Sequence, residues 1–254
     1  MPRRAQVVKN LNRFRLVTFD ITDTLLKFRK PPGIQYAETA ALMGMKDLDP
    51  DLLQKQFRKE FKSMAKKYPN FGSNSNEISW QEWWMQLVGN VFKGVNGNLS
   101  SSQIQCISKR LFEQYRSNEC YVHIDGNLEL LSMIRDNCEY VGVISNSDPG
   151  LEHVLLGMNI RHIFDFVSTS YDLGAEKPHS RAFQKPLEKY DVQAHQALHI
   201  GNLYDKDYLG ARNAGWSSLL VTQSASEVKK AKPTHAYGSL KEIHTALETT
   251  EILW

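Results

Sequence analysis

The chain has 254 residues, of which 41% are hydrophobic and 23% are charged, and its formal net charge is +3 at pH 7. This ordinary globular composition argues against extended disorder, collagen and coiled coil. The near balance of charges does not call for a nucleic-acid partner, and no apolar run is long enough to cross a bilayer. The length suits one large domain, or one domain that carries an insertion.

The first predicted strand covers residues 15–20, a β-branched apolar run that ends in the carboxylate of Asp20. The segment that follows, from about residue 33 to 117, holds no convincing strand. It contains four stretches in which apolar residues recur at helical spacing, at 35–43, 51–67, 79–92 and 100–116. We interpret residues 30–117 as a helical-bundle cap inserted after strand one.

The remaining chain alternates short apolar runs with amphipathic helices, which predicts right-handed βαβ units and a parallel sheet. The further strands are expected at 140–145, 164–168, 197–201 and 218–221. The helices are expected at 126–136, 149–158, 181–190, 206–214 and 240–247. The sequence therefore predicts an α/β fold, a doubly wound Rossmann-like parallel sheet that carries the helical cap.

Cysteine usage and the N-terminus indicate the compartment. Cys106, Cys120 and Cys138 are widely spaced and form no CxxC pair, which favours reduced, mostly buried thiols. Residues 1–15 lack the apolar stretch of a secretory signal, although their five basic residues leave a mitochondrial transit peptide as a lesser alternative. We expect an intracellular protein, cytoplasmic or nuclear, that is not secreted.

Polar residues follow four of the predicted strands, at the edge where open parallel sheets bind their ligands. A single such residue is a weak signal, because an aspartate there is usually a cap or a turn residue and a lysine is usually solvated. The ordered set is a stronger one: Asp20 after the first strand, Ser145-Asn146 after the second, Lys177-Pro178 after the third, and Gly201-Asn202 with Asp205 and Asp207 after the fourth.

These motifs resemble those of the haloacid dehalogenase-like (HAD) hydrolase superfamily. The resemblance rests on residues 19–25 (FDITDTL), 144–146, 176–178, 199–202, Asp207 and 210–215. It implies a core of residues 1–29 and 118–254, with residues 30–117 as the cap that this superfamily places after its first motif. Residues 12–16, 68–72 and 80–84 further resemble the haloacid dehalogenase-like hydrolase domain-containing protein 3 group.

The resemblance implies a phosphatase-like mechanism centred on Asp20. This carboxylate would attack phosphorus and form an aspartyl-phosphate. Ser145 would donate a hydrogen bond to a phosphoryl oxygen, and Lys177 would neutralise the developing charge. Asn146 and Trp83 are candidate contacts to the substrate, a small phosphorylated metabolite.

The implied cofactor is Mg²⁺, which takes hard oxygen ligands. The candidate ligands are Asp20, the backbone carbonyl of Thr22, and Asp207, with Asn202 and Asp205 as weaker candidates. Neither nucleic acid nor a membrane is expected as a partner, and the sequence leaves the oligomeric state open.

Two positions depart from the phosphatase pattern. Thr22 stands where the resemblance implies a second aspartate that protonates the leaving alcohol and activates water, and a threonine hydroxyl is too weak an acid and base for that task. Asn202 replaces a metal-binding aspartate, so we expect weak Mg²⁺ affinity.

Three functions therefore stay open. The chain could be a phosphohydrolase with a slow second step, a catalytically impaired HAD-fold protein that binds or regulates, or a 2-haloacid dehalogenase, which needs no metal.

Overall fold

The structure is a computed structural model that describes residues 8–75 and 77–254. Two compact units divide the chain: the first includes the chain up to Lys27, His123–Asn146 and Asn159–Trp254, and the second comprises Phe28–Val122 and Ser147–Met158. Residues 1–7, which carry part of the basic segment considered as a transit peptide, lie outside the described residues.

Six strands form one parallel sheet in the order β5-β4-β1-β6-β7-β8. The two short strands β2 and β3 form a separate two-stranded sheet. The strands are β1 Leu16–Phe19, β2 Leu26–Phe28, β3 Tyr121–His123, β4 Tyr140–Ser145, β5 Phe166–Thr169, β6 Ala197–Gly201, β7 Ser217–Val221 and β8 Ala236–Tyr237.

Eleven α-helices are assigned within the described residues. They are α1 Pro32–Leu42, α2 Pro50–Lys67, α3 Trp80–Val95, α4 Ser101–Gln114, α5 Asn127–Asn137, α6 Leu151–Gly157, α7 Ser170–Leu173, α8 Arg181–Tyr190, α9 Gly210–Asn213, α10 Ala225–Val228 and α11 Leu240–Thr249. A π-helical turn, Tyr204–Leu209, precedes α9. No helix of the described chain is long and apolar enough to span a bilayer.

The first unit is built around β1, whose four residues are all buried. The chain places β4 and β5 on one side of β1 and then β6, β7 and β8 on the other. The strand order therefore reverses at β1, and the crevice beyond its carboxyl end is where such sheets bind ligands. The α/β fold and parallel sheet predicted from the sequence are confirmed.

The second unit is a helical bundle in which α1, α2, α3 and α4 pack in sequence against one another. Its core is aromatic and aliphatic, with Tyr36, Trp83 and Phe92 among its buried members. Serine capping boxes start α3 and α4: Ser79 pairs with Glu82, and Ser100 pairs with Gln103. These caps satisfy backbone N–H groups that a helix start leaves unpaired.

The second unit extends a few residues beyond both ends of the cap predicted at 30–117, to Phe28 and Val122, and it also contains residues 147–158. The predicted boundaries assigned that segment to the core. Two side-chain contacts tie it to the helices instead: Trp84 Nε1 donates to Asp148 Oδ2 at 2.8 Å, and Arg116 Nη2 lies 3.1 Å from His153 Nε2.

The predicted strands correspond to β1, β4, β5, β6 and β7, whereas β2, β3 and β8 were not predicted. These three have only two or three residues each, too few to show an alternating pattern. Cys106, Cys120 and Cys138 are free thiols, and the last two are buried.

Candidate active site

The candidate site lies at the carboxyl end of β1 in the first unit. Asp20 follows that strand directly, and its backbone N–H donates to Ile200 O at 2.9 Å, which continues the pairing of β1 with β6. The carboxylate of Asp20 is therefore fixed at the point where the strand order reverses. Ser145, the last residue of β4, is buried on the strand that pairs with β1.

Lys177 connects the strand ends. Its Nζ lies 2.8 Å from Asp20 Oδ1, 2.7 Å from Asp207 Oδ1 and 2.6 Å from the carbonyl oxygen of Ile144. Its side chain is only 2% exposed. Asp20 and Asp207, which the sequence marked after β1 and β6, and the carbonyl of Ile144 near the end of β4 thus meet around one ammonium group, which can accept no hydrogen bond and donates three.

Asn146 fixes the loop that carries Lys177. The backbone N–H of Lys177 donates to Asn146 Oδ1 at 2.7 Å, and Asn146 Nδ2 donates to Lys177 O at 2.9 Å. The sequence predicted Asn146 as a substrate contact. In the structure both ends of its amide bind the backbone of Lys177, so its observed contacts support loop positioning.

Asp207 is held by donors on both of its carboxylate oxygens. Oδ1 accepts from Lys177 and lies 3.2 Å from His199 Nε2, while Oδ2 accepts from the backbone N–H of Leu203 at 2.9 Å. The close approach requires a glycine at position 201, because a Cβ there would lie 2.4 Å from Asp207 Cγ. These contacts make Asp207 a partner of Lys177 in this structure, whereas the sequence predicted it as a metal ligand.

The cluster has distinct electrostatic effects on its members. Burial raises the pKa of Asp20 to about 6. The positive charge of Lys177 opposes this rise, and the nearby negative charge of Asp207 adds to it. Burial also raises the pKa of Asp207, but Lys177 and His199 outweigh it and hold that pKa well below its usual range. For Lys177, burial lowers the pKa, but the two carboxylates outweigh it and raise it. Asp207 and Lys177 therefore stay charged at neutral pH.

Thr24 joins the site, although sequence reasoning did not select it. Its Oγ1 lies 3.3 Å from Asp20 Oδ2 and 3.3 Å from Asn202 Oδ1. The available signal was its position in the first motif, four residues after Asp20 in the turn that leads to β2. Thr22 is exposed, and its main chain forms an isolated bridge with Leu26.

The donor set fits a hard cation. Three oxygen atoms, Asp20 Oδ2, Thr24 Oγ1 and Asn202 Oδ1, converge around a single hydroxyl hydrogen, so they offer more acceptor lone pairs than that hydrogen can fill. Oxygen ligands of this kind suit Mg²⁺. Within residues 8–75 and 77–254, no three histidine, cysteine or acidic side chains gather into a metal-binding group. Asp205 is exposed.

Trp83 lies elsewhere, in the core of the second unit. It is 1% exposed, its Nε1 donates to Tyr68 O at 3.1 Å, and its ring packs edge-on against Phe61 and Phe71. The expectation that Trp83 contacts a substrate is corrected by this burial. The apolar face of α3 runs through Trp83, Leu87, Val88, Val91 and Phe92, while Trp84 is half-buried beside it.

A family model described as haloacid dehalogenase-like hydrolase matches residues 14–215. The chain belongs to the haloacid dehalogenase-like hydrolase family. It is 36% identical over 262 aligned residues to the Rhythmically expressed gene 2 protein of Drosophila melanogaster, covering 97% of this chain and 100% of that protein. It is 35% identical over 211 residues to the haloacid dehalogenase-like hydrolase domain-containing protein 3 of Xenopus laevis, covering 82% and 84% of the two chains. The predicted resemblance to that group is confirmed.

Solved structures share the fold at lower sequence identity. The magnesium-bound HAD-hydrolase YfnB of Bacillus subtilis is 18% identical with a TM-score of 0.68, over 92% of this chain and 99% of that one. The L-2-haloacid dehalogenase RSc1362 is 18% identical with a TM-score of 0.69, over 93% and 99%. One fold thus carries proteins named for different chemistries, and function has to be argued from the site.

Replacing Lys177 by Met should destabilise the protein by about 3–5 kcal/mol at pH 7, because two buried carboxylates lose their shared cation. The loss should shrink as the pH falls towards 5, since the unpaired carboxylates then take up protons in the folded state more readily than in the unfolded state. Urea unfolding at both pH values measures this. Lys189→Met, an exposed position on α8, is the matched control, and equal midpoints for the two variants would contradict the expectation.

Proposed function

We propose that the protein is a Mg²⁺-dependent phosphohydrolase that acts through an aspartyl-phosphate on Asp20. The observation that carries this proposal is the buried contact of 2.8 Å between Lys177 Nζ and Asp20 Oδ1 at the strand-order reversal. A fixed ammonium group beside a carboxylate lowers the electrostatic barrier to attack on an anionic substrate. The proposed substrate class is a small phosphate monoester.

The first step would transfer the phosphoryl group to the protein. An oxygen of Asp20 attacks phosphorus, the bond from phosphorus to the alcohol oxygen breaks, and the leaving oxygen takes a proton from water to depart as the alcohol. Ser145, at the end of β4, donates a hydrogen bond to a phosphoryl oxygen, and Lys177 balances the negative charge. Water then attacks the phosphorus and gives a proton to the surrounding solvent, the bond to Asp20 breaks to restore its carboxylate, and inorganic phosphate leaves.

The Mg²⁺ of this proposal would be held by Asp20 and Asn202, whose side-chain oxygens both lie 3.3 Å from Thr24 Oγ1, and by the backbone carbonyl of Thr22. When bound, it would supply positive charge that reduces repulsion between the phosphate and Asp20. The set contains one carboxylate, because Asp207 is occupied by Lys177, His199 and Leu203. A site with few charged ligands binds weakly, so millimolar Mg²⁺ is appropriate for an assay.

Asp20→Asn should abolish phosphate release from p-nitrophenyl phosphate with Mg²⁺, because an amide cannot serve as the nucleophile. Asp23→Asn should release phosphate at the wild-type rate. It makes the same chemical change three residues away, on an exposed side chain whose φ of +59° asparagine also tolerates.

Equal phosphate release by the wild type and Asp20→Asn would exclude this mechanism. A wild type that shows no turnover, yet binds vanadate more tightly than Asp20→Asn does, would favour a binding or regulatory HAD-fold protein instead.

Thr22→Asp should raise the rate of phosphate release, by up to about 10²–10⁴, because it restores a general acid and base two residues after the nucleophile. Thr22→Asn is the matched control, because asparagine has nearly the same size as aspartate but lacks the carboxyl group. Single-turnover and steady-state rates distinguish the two steps. If neither variant is faster than the wild type, proton transfer at this position does not limit turnover.

A 2-haloacid dehalogenase is the second candidate, favoured by one feature of the site. Lys177 Nζ contacts Asp20 Oδ1 directly, and a cation beside the carboxylate also suits its attack on carbon with loss of halide. Chloride release from 2-chloropropionate in excess EDTA tests this candidate, with Asp20→Asn as the control. We expect no chloride above that control, and Asp20-dependent release would replace the phosphatase proposal.

A further inference from the structure

A buried chain of polar contacts leads from β1 through β6 and back to Asp20. Thr18 Oγ1 lies 2.8 Å from His199 Nδ1, and His199 Nε2 lies 3.2 Å from Asp207 Oδ1. Asp207 Oδ1 then contacts Lys177, which contacts Asp20. Thr18 and His199 are fully buried and are register partners in the pairing of β1 with β6.

The direction of each hydrogen bond in this chain can be assigned. Asp207 is ionised beside Lys177, and an ionised carboxylate only accepts hydrogen bonds. The hydrogen that joins His199 and Asp207 must therefore be on His199 Nε2. Burial, with the Lys177 charge acting in the same direction, lowers the pKa of His199 to about 4, so the ring is neutral near pH 7. His199 Nδ1 then carries no hydrogen and accepts from the Thr18 hydroxyl.

The surrounding protein keeps this ring in place. Phe183 packs edge-on against it, with the ring centroids 5.5 Å apart and an interplanar angle of 81°. The Thr18 hydroxyl sits at one ring nitrogen and the Asp207 carboxylate at the other. A neutral histidine fixed at both nitrogens presents one defined N–H to Asp207.

We propose that His199 is a positioning residue, whose Nε2–H fixes Asp207 and thereby holds the Lys177 ammonium group on Asp20. Asp207 Oδ1 accepts from both His199 and Lys177. Loss of the histidine donor leaves that oxygen with Lys177 alone, so the carboxylate can turn and draw the ammonium group away from Asp20. The effect on turnover rests on the proposed function, whereas the effect on Lys177 does not.

Three variants separate the hydrogen bond from packing. His199→Gln can keep a side-chain N–H directed at Asp207, His199→Phe keeps a ring and removes the donor, and Thr18→Val removes the hydroxyl while it keeps the side-chain shape. The last variant leaves the histidine itself in the core, which provides a test if His199→Phe does not fold. Urea unfolding confirms that each variant is folded at the assay temperature.

Two readouts apply to each folded variant. The first is kcat and KM for p-nitrophenyl phosphate with Mg²⁺, and the second is the ¹⁵N NMR signal of the Lys177 ammonium group. We expect His199→Phe to lower kcat by up to about 100-fold, because a small displacement of the cation beside the nucleophile is costly, with little change in KM and with a shifted Lys177 signal. His199→Gln should restore most of kcat and the wild-type signal. Thr18→Val should shift the Lys177 signal and lower kcat by a smaller factor.

The proposal is overturned if the Lys177 signal stays at its wild-type position in His199→Phe and in Thr18→Val. It is also overturned if His199→Gln is impaired as strongly as His199→Phe, since ring packing would then be the role. If the wild type has no turnover, the proposed function fails, and the Lys177 signal alone decides on His199.

Discussion

The buried ammonium group of Lys177 between two carboxylates is the interaction on which the rest of the site depends. An isolated charge is very costly to bury, and a partner on each side lets Lys177 remain charged inside the protein. Asp20 comes from the end of β1, Asp207 from the turn after β6, and the carbonyl of Ile144 from β4. The carboxyl ends of β1, β4 and β6 must therefore lie side by side at one edge of the sheet, so that a single ammonium group can contact all three.

The same arrangement gives its two carboxylates different properties. Asp207 receives hydrogen bonds on both oxygens and is held ionised. Asp20 shares Lys177 with Asp207, lies near that second negative charge, and has a raised pKa. Asp207 thus has a protein donor on each oxygen, whereas Asp20 Oδ2 accepts from the hydroxyl of Thr24, which also lies 3.3 Å from Asn202 Oδ1. That difference suits Asp20 for chemistry and Asp207 for support.

Much of this could be predicted from the sequence, because the signals are local. Polar motifs follow the apolar runs of β1, β4, β5 and β6, and parallel strands bring their carboxyl ends to one edge, so Asp20, Ser145, Lys177 and Asp207 could be placed together. The residues that sequence reasoning missed act through tertiary contacts. From the sequence alone, His199 has the features of an ordinary buried histidine, and Thr24 has those of a turn residue. The prediction that Trp83 contacts a substrate was wrong for a related reason. Which face of α3 is buried depends on the helices that pack against it, and the sequence of α3 alone does not show this.

The amide of Asn146 has a consequence for anyone who recombines this protein with its relatives. Two hydrogen bonds join its side chain to both sides of the Lys177 backbone, across a separation of 31 residues. The segments around these two positions therefore act as a matched pair, although one follows β4 and the other follows β5. A chimera that exchanges one segment without the other would combine two loops that do not form these hydrogen bonds with each other. Lys177 would then be displaced although it had not itself been substituted.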